Sequence, residues 1–330
     1  SVGAIDIDPT VLQVHEKNIG SPVFQADLSL GKLPHASLGR ADILIAGSPC
    51  QGFSTLGKRR VEDPRNELLL VSGKLAARYK PKLVIAENVP AVASGKHRKY
   101  WESLHQILRG AGYQTAELCC EGQKLGVPQK RKRLILLAWR LKRTITLELP
   151  VVLGGTLRDA LLGIEGVANH DMVYLDRSSV GYMIAEKLKA GQKLSNVRSG
   201  PRAVHTWEIP EVFGSTTKKE REVLEEVLRL RRRNRVRDFG DADPVETKLL
   251  KKLFGFSLIA SLEAKSYLKR IGDSHDLVGT FNGKYRRLHL DEPSYTVDTR
   301  FGDPRYFLHP TENRGFTVRE AARIQGFPDE

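Results

Sequence analysis

Three short segments of this 330-residue chain carry side chains able to do chemistry. Pro49-Cys50-Gln51-Gly52-Phe53-Ser54 forms a tight loop directly after the apolar run Ala41–Ala46. A thiol therefore stands just past a strand's carboxyl end, where open α/β sheets build their sites. A lone cysteine is most often a small buried hydrophobe, but on a loop at such a strand end Cys50 is a candidate nucleophile, reactive as the thiolate. Ala86-Glu87-Asn88-Val89-Pro90 closes a second apolar run, Lys82–Ala86. A carboxyl group there is costly unless paired or hydrogen-bonded, and burial favours its protonated form. Glu87 is thus a candidate proton donor, the plainer alternative being a loop cap. The third segment, Gln129-Lys130-Arg131-Lys132-Arg133, leads into the run Leu134–Ala138. Alternate residues of an extended segment share a face, so Gln129, Arg131 and Arg133 can converge on one pocket. The alternative is an edge strand guarded by charge.

The elements that must position these groups follow from apolar patterning. Val2–Ile7, Ala41–Ala46, Lys82–Ala86 and Arg133–Trp139 read as buried strands with helical patterns between several of them, the rhythm of a parallel sheet covered on both faces. Pro9–Asn18 predicts a helix with Asp8 as its cap and Pro9 in its first position. From about Leu149 the βαβ repeat disappears and a second lobe is expected. Within it, Thr217–Arg232 predicts a helix capped by Thr216 or Thr217, with acidic residues early and the run Arg229, Arg231, Arg232, Arg233, Arg235, Arg237 at its far end. Those arginines either face water and complement the helix dipole or contact phosphate.

A net charge of +14 favours a polyanionic partner, because Lys and Arg that neutralise phosphates gain affinity through counterion release. Apolar residues make up 40% and charged residues 28%, an ordinary balance for a globular protein, and no apolar run approaches the length of a membrane span. Cys50, Cys119 and Cys120 form neither a zinc-type spacing nor a disulfide framework, so no metal is expected and a reducing cytoplasm fits. No histidine stands in a recognisable relation to Cys50, which disfavours a cysteine hydrolase.

Taken in order, Pro49-Cys50-Gln51, Glu87-Asn88-Val89 and Gln129/Arg131/Arg133 resemble the cytosine-5 DNA methyltransferase family of bacterial type. Arg314-Gly315-Phe316-Thr317-Val318-Arg319-Glu320-Ala321-Ala322-Arg323-Ile324-Gln325-Gly326-Phe327-Pro328 is similar to that family's ninth motif, which organises the DNA-recognition lobe. The resemblance covers nearly the whole chain. It lacks the Phe-x-Gly-x-Gly loop with which the family normally begins and the helix with which it closes, so the chain reads as truncated at both ends.

The resemblance implies an α/β fold, the S-adenosylmethionine-dependent (Rossmann-like) doubly wound sheet, with a second, smaller DNA-recognition domain. Its expected boundaries are a catalytic domain over 1–148, a target-recognition domain over 149–290 and a return segment over 291–330. The cofactor would be S-adenosyl-L-methionine, leaving as S-adenosyl-L-homocysteine, with Asp6 at the ribose, Ile7 against the adenine, Asp27 at the adenine amino group, Leu28 as an apolar contact and Pro49 also in the cofactor site. Cys50, Glu87, Arg131 and Arg133 would be catalytic. Gln51, Ser54, Asn88, Gln129 and Arg287 would face the DNA, with Gln129 also a candidate loop brace and Lys58-Arg59-Arg60 part of a mobile cover. Asn282-Gly283 reads as a tight turn before basic residues. The expected setting is the bacterial cytoplasm, at the nucleoid, as a monomer on double-stranded DNA, with a cognate restriction endonuclease as a functional partner. Two alternatives are a tRNA cytosine-5 methyltransferase, whose Cys-Phe-Thr signature is missing from the second lobe, and a catalytically silent DNA-binding fragment.

Overall fold

The structure is a computed structural model and describes residues 1–49, 64–140, 148–233, 235–236 and 242–329. The expectations for Cys50, Gln51, Ser54, Lys58-Arg59-Arg60 and Arg237 lie outside the described residues. The chain divides into two compact units, one of residues 1–125 and 131–152, the other of residues 126–130 and 153–330. No helix among the described residues is long and apolar enough to cross a membrane.

The first unit runs β1 (Ala4–Asp6), α1 (Pro9–Ile19), β2 (Val23–Gln25), β3 (Ile43–Gly47), α2 (Leu68–Tyr79), β4 (Leu83–Asn88), α3 (Arg98–Gly110), β5 (Gln114–Glu121) and β6 (Lys132–Trp139). Helix α1 starts as its sequence predicts: the Asp8 carboxylate accepts the Thr10 N–H, Pro9 fills the first turn, and Gly20 closes the helix at φ 67°, a left-handed conformation that suits glycine. Two sheets result. β1 and β2 pair in parallel, and a four-stranded sheet has the order β3-β4-β6-β5. Only β3–β4 of this second sheet is parallel, since β6 runs antiparallel to both β4 and β5.

Helices α2 and α3 pack one face of the larger sheet through Leu69, Ala76, Tyr100, Trp101, Leu104 and Leu108 against Val84, Ala86, Leu134, Leu136 and Ala138. Successive side chains of a strand point to opposite faces, so Leu83, Ile85 and Glu87 of β4, with Arg133, Ile135 and Leu137 of β6, turn the other way. That face is less covered than the sequence suggests: on β3, Ile43 and Ile45 are 52% and 74% exposed.

The second unit contains α4 (Leu157–Leu161), α5 (Val180–Glu186), β7 (Lys193–Ser195), β8 (Ala203–Val204), α6 (Pro210–Phe213), α7 (Lys218–Arg233), β9 (Val245–Glu246), α8 (Thr247–Phe254), α9 (Phe256–Ala264), β10 (Leu268–Ile271), β11 (Ser274–Leu277), β12 (Asn282–Lys284), β13 (Arg286–Arg287), β14 (Phe307–Leu308) and α10 (Val318–Ile324). Its small sheets are β10-β11-β9, β12-β7-β8 and β13-β14. Asn282 and Gly283, expected as a tight turn, instead lie in β12 beside β7, at a register irregularity.

Helix α7 carries a capping box: Thr217 Oγ1 accepts the Glu220 N–H at 3.2 Å and Glu220 Oε2 accepts the Thr217 N–H at 2.7 Å. The same carboxylate accepts the Ser261 hydroxyl at 2.7 Å and the Lys265 ammonium at 2.8 Å. Burial opposes the charge on Glu220, but Lys265, the Thr217 N–H and Ser261 outweigh it and hold the pKa at about 2. A depressed folded-state pKa stabilises the fold above the unfolded value of about 4.3, and that contribution is lost as pH falls toward 2. Acid titration of stability should therefore show a loss on the order of 3 kcal/mol over that window. A Glu220→Gln variant is expected to be less stable at pH 7 and flatter below pH 4.5; an unchanged acid limb would exclude the linkage.

Candidate active site

Glu87 and Arg133 form the centre of the first unit's site. In the β3–β4 register Gly47 pairs with Glu87, and in the β4–β6 register Glu87 pairs with Ile135. Arg133 is then the diagonal neighbour of Glu87 on the same face, and its Nε lies 2.6 Å from Glu87 Oε1, with the side chains 21% and 38% exposed. Glu87 is thus half-buried and ion-paired, not enclosed as an isolated acid at a buried strand end.

Asn88 faces the opposite way and is fully buried, which corrects its expected place at the DNA. Its Nδ2 donates to the Ser48 carbonyl at 3.3 Å and its Oδ1 accepts the Val89 N–H at 2.9 Å. The amide thereby ties the end of β4 to the residue two before Cys50. Pro49 is exposed at the edge of the described chain.

Gln129 and Arg131 do not lie on β6 with Arg133, so the strand alternation expected to aim all three at one face does not apply. Arg131 is half-buried, and its carbonyl accepts the Gly122 N–H at 2.7 Å within the first unit. Gln129 belongs to the second unit and is 0% exposed. Its Nε2 donates to the Ile324 carbonyl at 3.1 Å and its Oε1 accepts the Val297 N–H at 3.0 Å. Of the two roles expected for it, this is the geometry of a brace, and the side chain is fully buried. The strand argument fails here because residues 126–130 pair with Ser294 and are not part of β6.

Arg287 is also not available to DNA. It is 6% exposed, and its guanidinium donates to the carbonyls of Leu188, His309, Glu312 and Ala185 at 2.8, 2.8, 2.8 and 2.9 Å and to the Asn313 side chain. All five N–H groups are used internally. The arginine run divides similarly: Arg229 pairs with Glu226, while Arg231 is buried against Asp276 at 2.5 Å, leaving Arg232 and Arg233 exposed. Arg231 follows Leu224 and Leu228 at helical spacing, a signal that places it on the buried face.

Of the expected cofactor residues, Asp6, Ile7, Asp27 and Leu28 follow the carboxyl ends of β1 and β2, whereas Pro49 follows β3. Asp6 is half-buried and its Oδ1 accepts the Asp8 N–H at 2.9 Å. Asp27 Oδ1 accepts the Ser29 N–H at 2.8 Å, and that backbone bond, with the Ser29 hydroxyl, lowers the pKa of Asp27 below its ordinary value. Gln25 Nε2 donates to the Ile7 carbonyl at 3.1 Å, holding the two strand ends together. Ile7 is 64% exposed. Below these ends an apolar groove of about 680 Å³ separates β1 from β3, with Ile5, Leu28, Leu38, Ile43, Ile45 and Leu75 in its walls. Of these only Leu28 is a sequence-level expectation; the run Ile43-Leu44-Ile45, apolar on both faces, is the signal that marks β3 as a second wall. Two carboxylates on adjacent strand ends beside exposed apolar surface suit a nucleoside, with hydroxyl and amino donors at one edge and a flat apolar face. Among the described residues no group of three or more His, Cys, Asp or Glu side chains is placed to hold a metal ion.

Known proteins similar to this chain include type II methyltransferases. The type II methyltransferase M.XorII of Xanthomonas oryzae pv. oryzae is 34% identical over 148 residues, covering 42% of this chain and 35% of that protein. M.DdeI of Desulfomicrobium norvegicum is 27% identical over 301 residues, covering 89% of this chain and 64% of that protein. The chain thus spans less than two thirds of the length of either. Among solved structures, a protein encoded within an E. coli prophage and described as a DNA modification methyltransferase shares the fold, with a TM-score of 0.53, 20% identity and coverage of 99% of this chain and 82% of that one. The sequence pattern of one family matches residues 1–330 throughout, and the chain belongs to that family, the C-5 cytosine-specific DNA methylases.

Proposed function

We propose that this protein is a DNA (cytosine-5)-methyltransferase that uses Cys50 as a covalent nucleophile on a cytosine swung out of the duplex. The observation that carries the reading is the convergence at one sheet end: Glu87 holds Arg133 at 2.6 Å, while Asn88 anchors Ser48, two residues ahead of Cys50. Ser48, Glu87, Asn88 and Arg133, far apart in sequence, thereby lie close together at the ends of neighbouring strands.

The neutral cytosine ring is too stable as an aromatic for C5 to accept a methyl group directly. Addition of the Cys50 thiolate to C6, with Glu87 protonating or hydrogen-bonding N3, breaks the aromaticity and makes C5 nucleophilic. Arg133 holds Glu87 in place and offers its remaining N–H groups to the ring's O2. Arg131 adds positive charge that favours the thiolate. After methylation, loss of the C5 proton to a base re-forms the C5–C6 double bond and expels the Cys50 thiolate from C6, while a proton held at N3 returns to Glu87. S-adenosylmethionine, when bound, supplies an electrophilic methyl group on a sulfonium centre. Asp6 and Asp27 would hold its hydroxyl and amino groups, with Ile7 and Leu28 against the adenine. Extruding the base costs a few kcal/mol, offset by contacts in the pocket.

Residues 149–290 would choose the DNA sequence. The type II designation of the relatives supports a role in restriction–modification, with a cognate endonuclease as the functional counterpart. Duplexes containing 5-fluorocytosine, whose C5 substituent cannot leave as a proton, test the chemistry. With cofactor present, the wild-type chain should form an adduct that survives denaturation and Cys50→Ser should form none. Equal trapping by both, or by neither, would overturn the covalent scheme.

A further inference from the structure

We infer that residues 218–233 and 245–277 form a winged helix-turn-helix that binds duplex DNA, with α9 reading bases and the β10–β11 hairpin gripping the backbone. The inference deepens the proposed function, since duplex DNA as the partner rests on that reading.

The element order is α7, β9, α8, α9, β10, β11, and the antiparallel sheet has the order β10-β11-β9. This is a first helix, a short strand, two successive helices and a hairpin whose last strand returns to the short one. Each element contributes to one core: Val223, Leu224, Val227 and Leu228 of α7, Val245 of β9, Leu250 of α8, Ile259 and Leu262 of α9, Leu268 of β10 and Leu277 of β11. The break between α8 and α9 is the single residue Gly255, at φ 81° and ψ 163°. A side chain there would be strained, so the chain reverses course sharply at that residue.

Polar contacts lock the inner faces and leave one outer face open. Ser261 and Lys265 bind Glu220 of α7. Buried His275 of β11 bonds Thr247 of α8 through Nδ1 and Glu263 of α9 through Nε2, both at 2.8 Å. The part of α9 that remains is Phe256, Ser257, Ala260 and Ala264, with Phe256 67% exposed. Small side chains let a helix approach base edges, and an exposed apolar residue at its start can meet a thymine methyl.

Charge around this face suits a polyanion. Lys248, Lys251 and Lys252 of α8 and Lys269 and Arg270 of β10 are exposed, and among the described residues none forms an ion pair. Of the nearby carboxylates, Glu263 and Asp276 face inward to His275 and Arg231, leaving Glu246 and Asp273 outside. The Lys251 ammonium lies 4.9 Å from the centre of the Phe256 ring, so the cations of α8 and the exposed start of α9 share one surface. Phosphate-binding cations beside a groove-reading helix are the arrangement by which helix-turn-helix modules position themselves and then specify sequence.

The test is duplex binding by the full chain, read by fluorescence anisotropy across a salt series, together with selection of preferred sequences from a random duplex pool. Lys269→Ala/Arg270→Ala should weaken binding to every duplex about 10–100-fold and flatten the salt dependence by about two phosphate contacts. Lys269→Arg/Arg270→Lys should restore most of it. Phe256→Ala/Ser257→Ala should retain salt dependence while relaxing base choice at one or two positions by roughly tenfold each. An unchanged salt slope in the first variant together with unchanged base choice in the last would overturn the assignment. Methyl transfer is measured separately: a chain that binds through this module without transferring methyl would sink the catalytic reading alone, and one that methylates normally with both variants would sink this one alone.

Discussion

Exchanging Glu87 for glutamine should lower methyl transfer by about 10²–10⁴-fold while leaving duplex affinity nearly unchanged. Glutamine keeps the size of the side chain and can still accept a hydrogen bond from Arg133, whose Nε sits 2.6 Å from the carboxylate. It can neither give a proton to the ring nitrogen nor balance the guanidinium charge. The loss should fall on kcat, because the interaction strengthens only as the ring loses aromaticity. Arg133→Lys should give a smaller, parallel loss, since an ammonium lacks the planar fork that spans carboxylate and base together. Single-turnover assays with saturating duplex separate binding from chemistry. Turnover within tenfold of wild type in Glu87→Gln would remove that residue from the acid's role.

The second large effect concerns stability. Arg314 and Glu320 are 3% and 1% exposed at their side chains and meet through two bonds of 2.8 and 2.7 Å. Glu320 also accepts the Thr317 N–H at 2.8 Å, closing a capping box at the start of α10. Arg314 Nε donates to Glu312 at 2.6 Å. Burial opposes the charge on Glu320, but Arg314 and the Thr317 N–H outweigh it, and its pKa lies below the ordinary value. His309 is pressed down to about 4 by burial and by Arg314, so it is neutral at pH 7 and leaves the arginine's charge to the two glutamates. Glu320→Ala removes the main counter-charge from a guanidinium that is only 3% exposed, and about 3–5 kcal/mol of unfolding free energy should be lost. The double variant Arg314→Met/Glu320→Leu should recover part of that loss, because the deeply buried pair is gone and only the partly exposed Glu312 carboxylate loses a partner. Urea denaturation of the full chain measures both. A single-variant loss below 1 kcal/mol would mean that the pair is hydrated in solution.

Strand positions were the most legible part of the fold. Apolar runs predicted over Ala41–Ala46 and Arg133–Trp139 appear as Ile43–Gly47 and Lys132–Trp139, and the helix predicted over Pro9–Asn18 appears as Pro9–Ile19. Strand β5, Gln114–Glu121, escaped because its pattern Gln-Thr-Ala-Glu-Leu-Cys-Cys-Glu has no clean two-residue alternation. The antiparallel course of β6 follows from its partners and not from its own residues. At the site, Glu87 and Arg133 could be singled out because their types suit the chemistry and strand alternation aims them at one face. Asn88, Gln129 and Arg287 show the limit of that logic: polar types suited to DNA were enlisted by the interior, where buried backbone groups need partners. Helix α7, Lys218–Arg233, was legible as the helix predicted over Thr217–Arg232, but the linear pattern of Arg229–Arg233 suggests one solvated face, whereas Arg231 turns into the core.

Arg287 has a kinetic corollary. Its bonds to Leu188 and Ala185 close loops of 99 and 102 residues, and those to His309, Glu312 and Asn313 close loops of 22, 25 and 26. Closing loops of that length costs entropy before the contact repays it, so this hub is expected to assemble late in folding. Interactions absent from the folding transition state govern how slowly a native chain comes apart. The guanidinium at position 287 therefore acts as a latch on the lifetime of the folded molecule more than on the speed with which it forms.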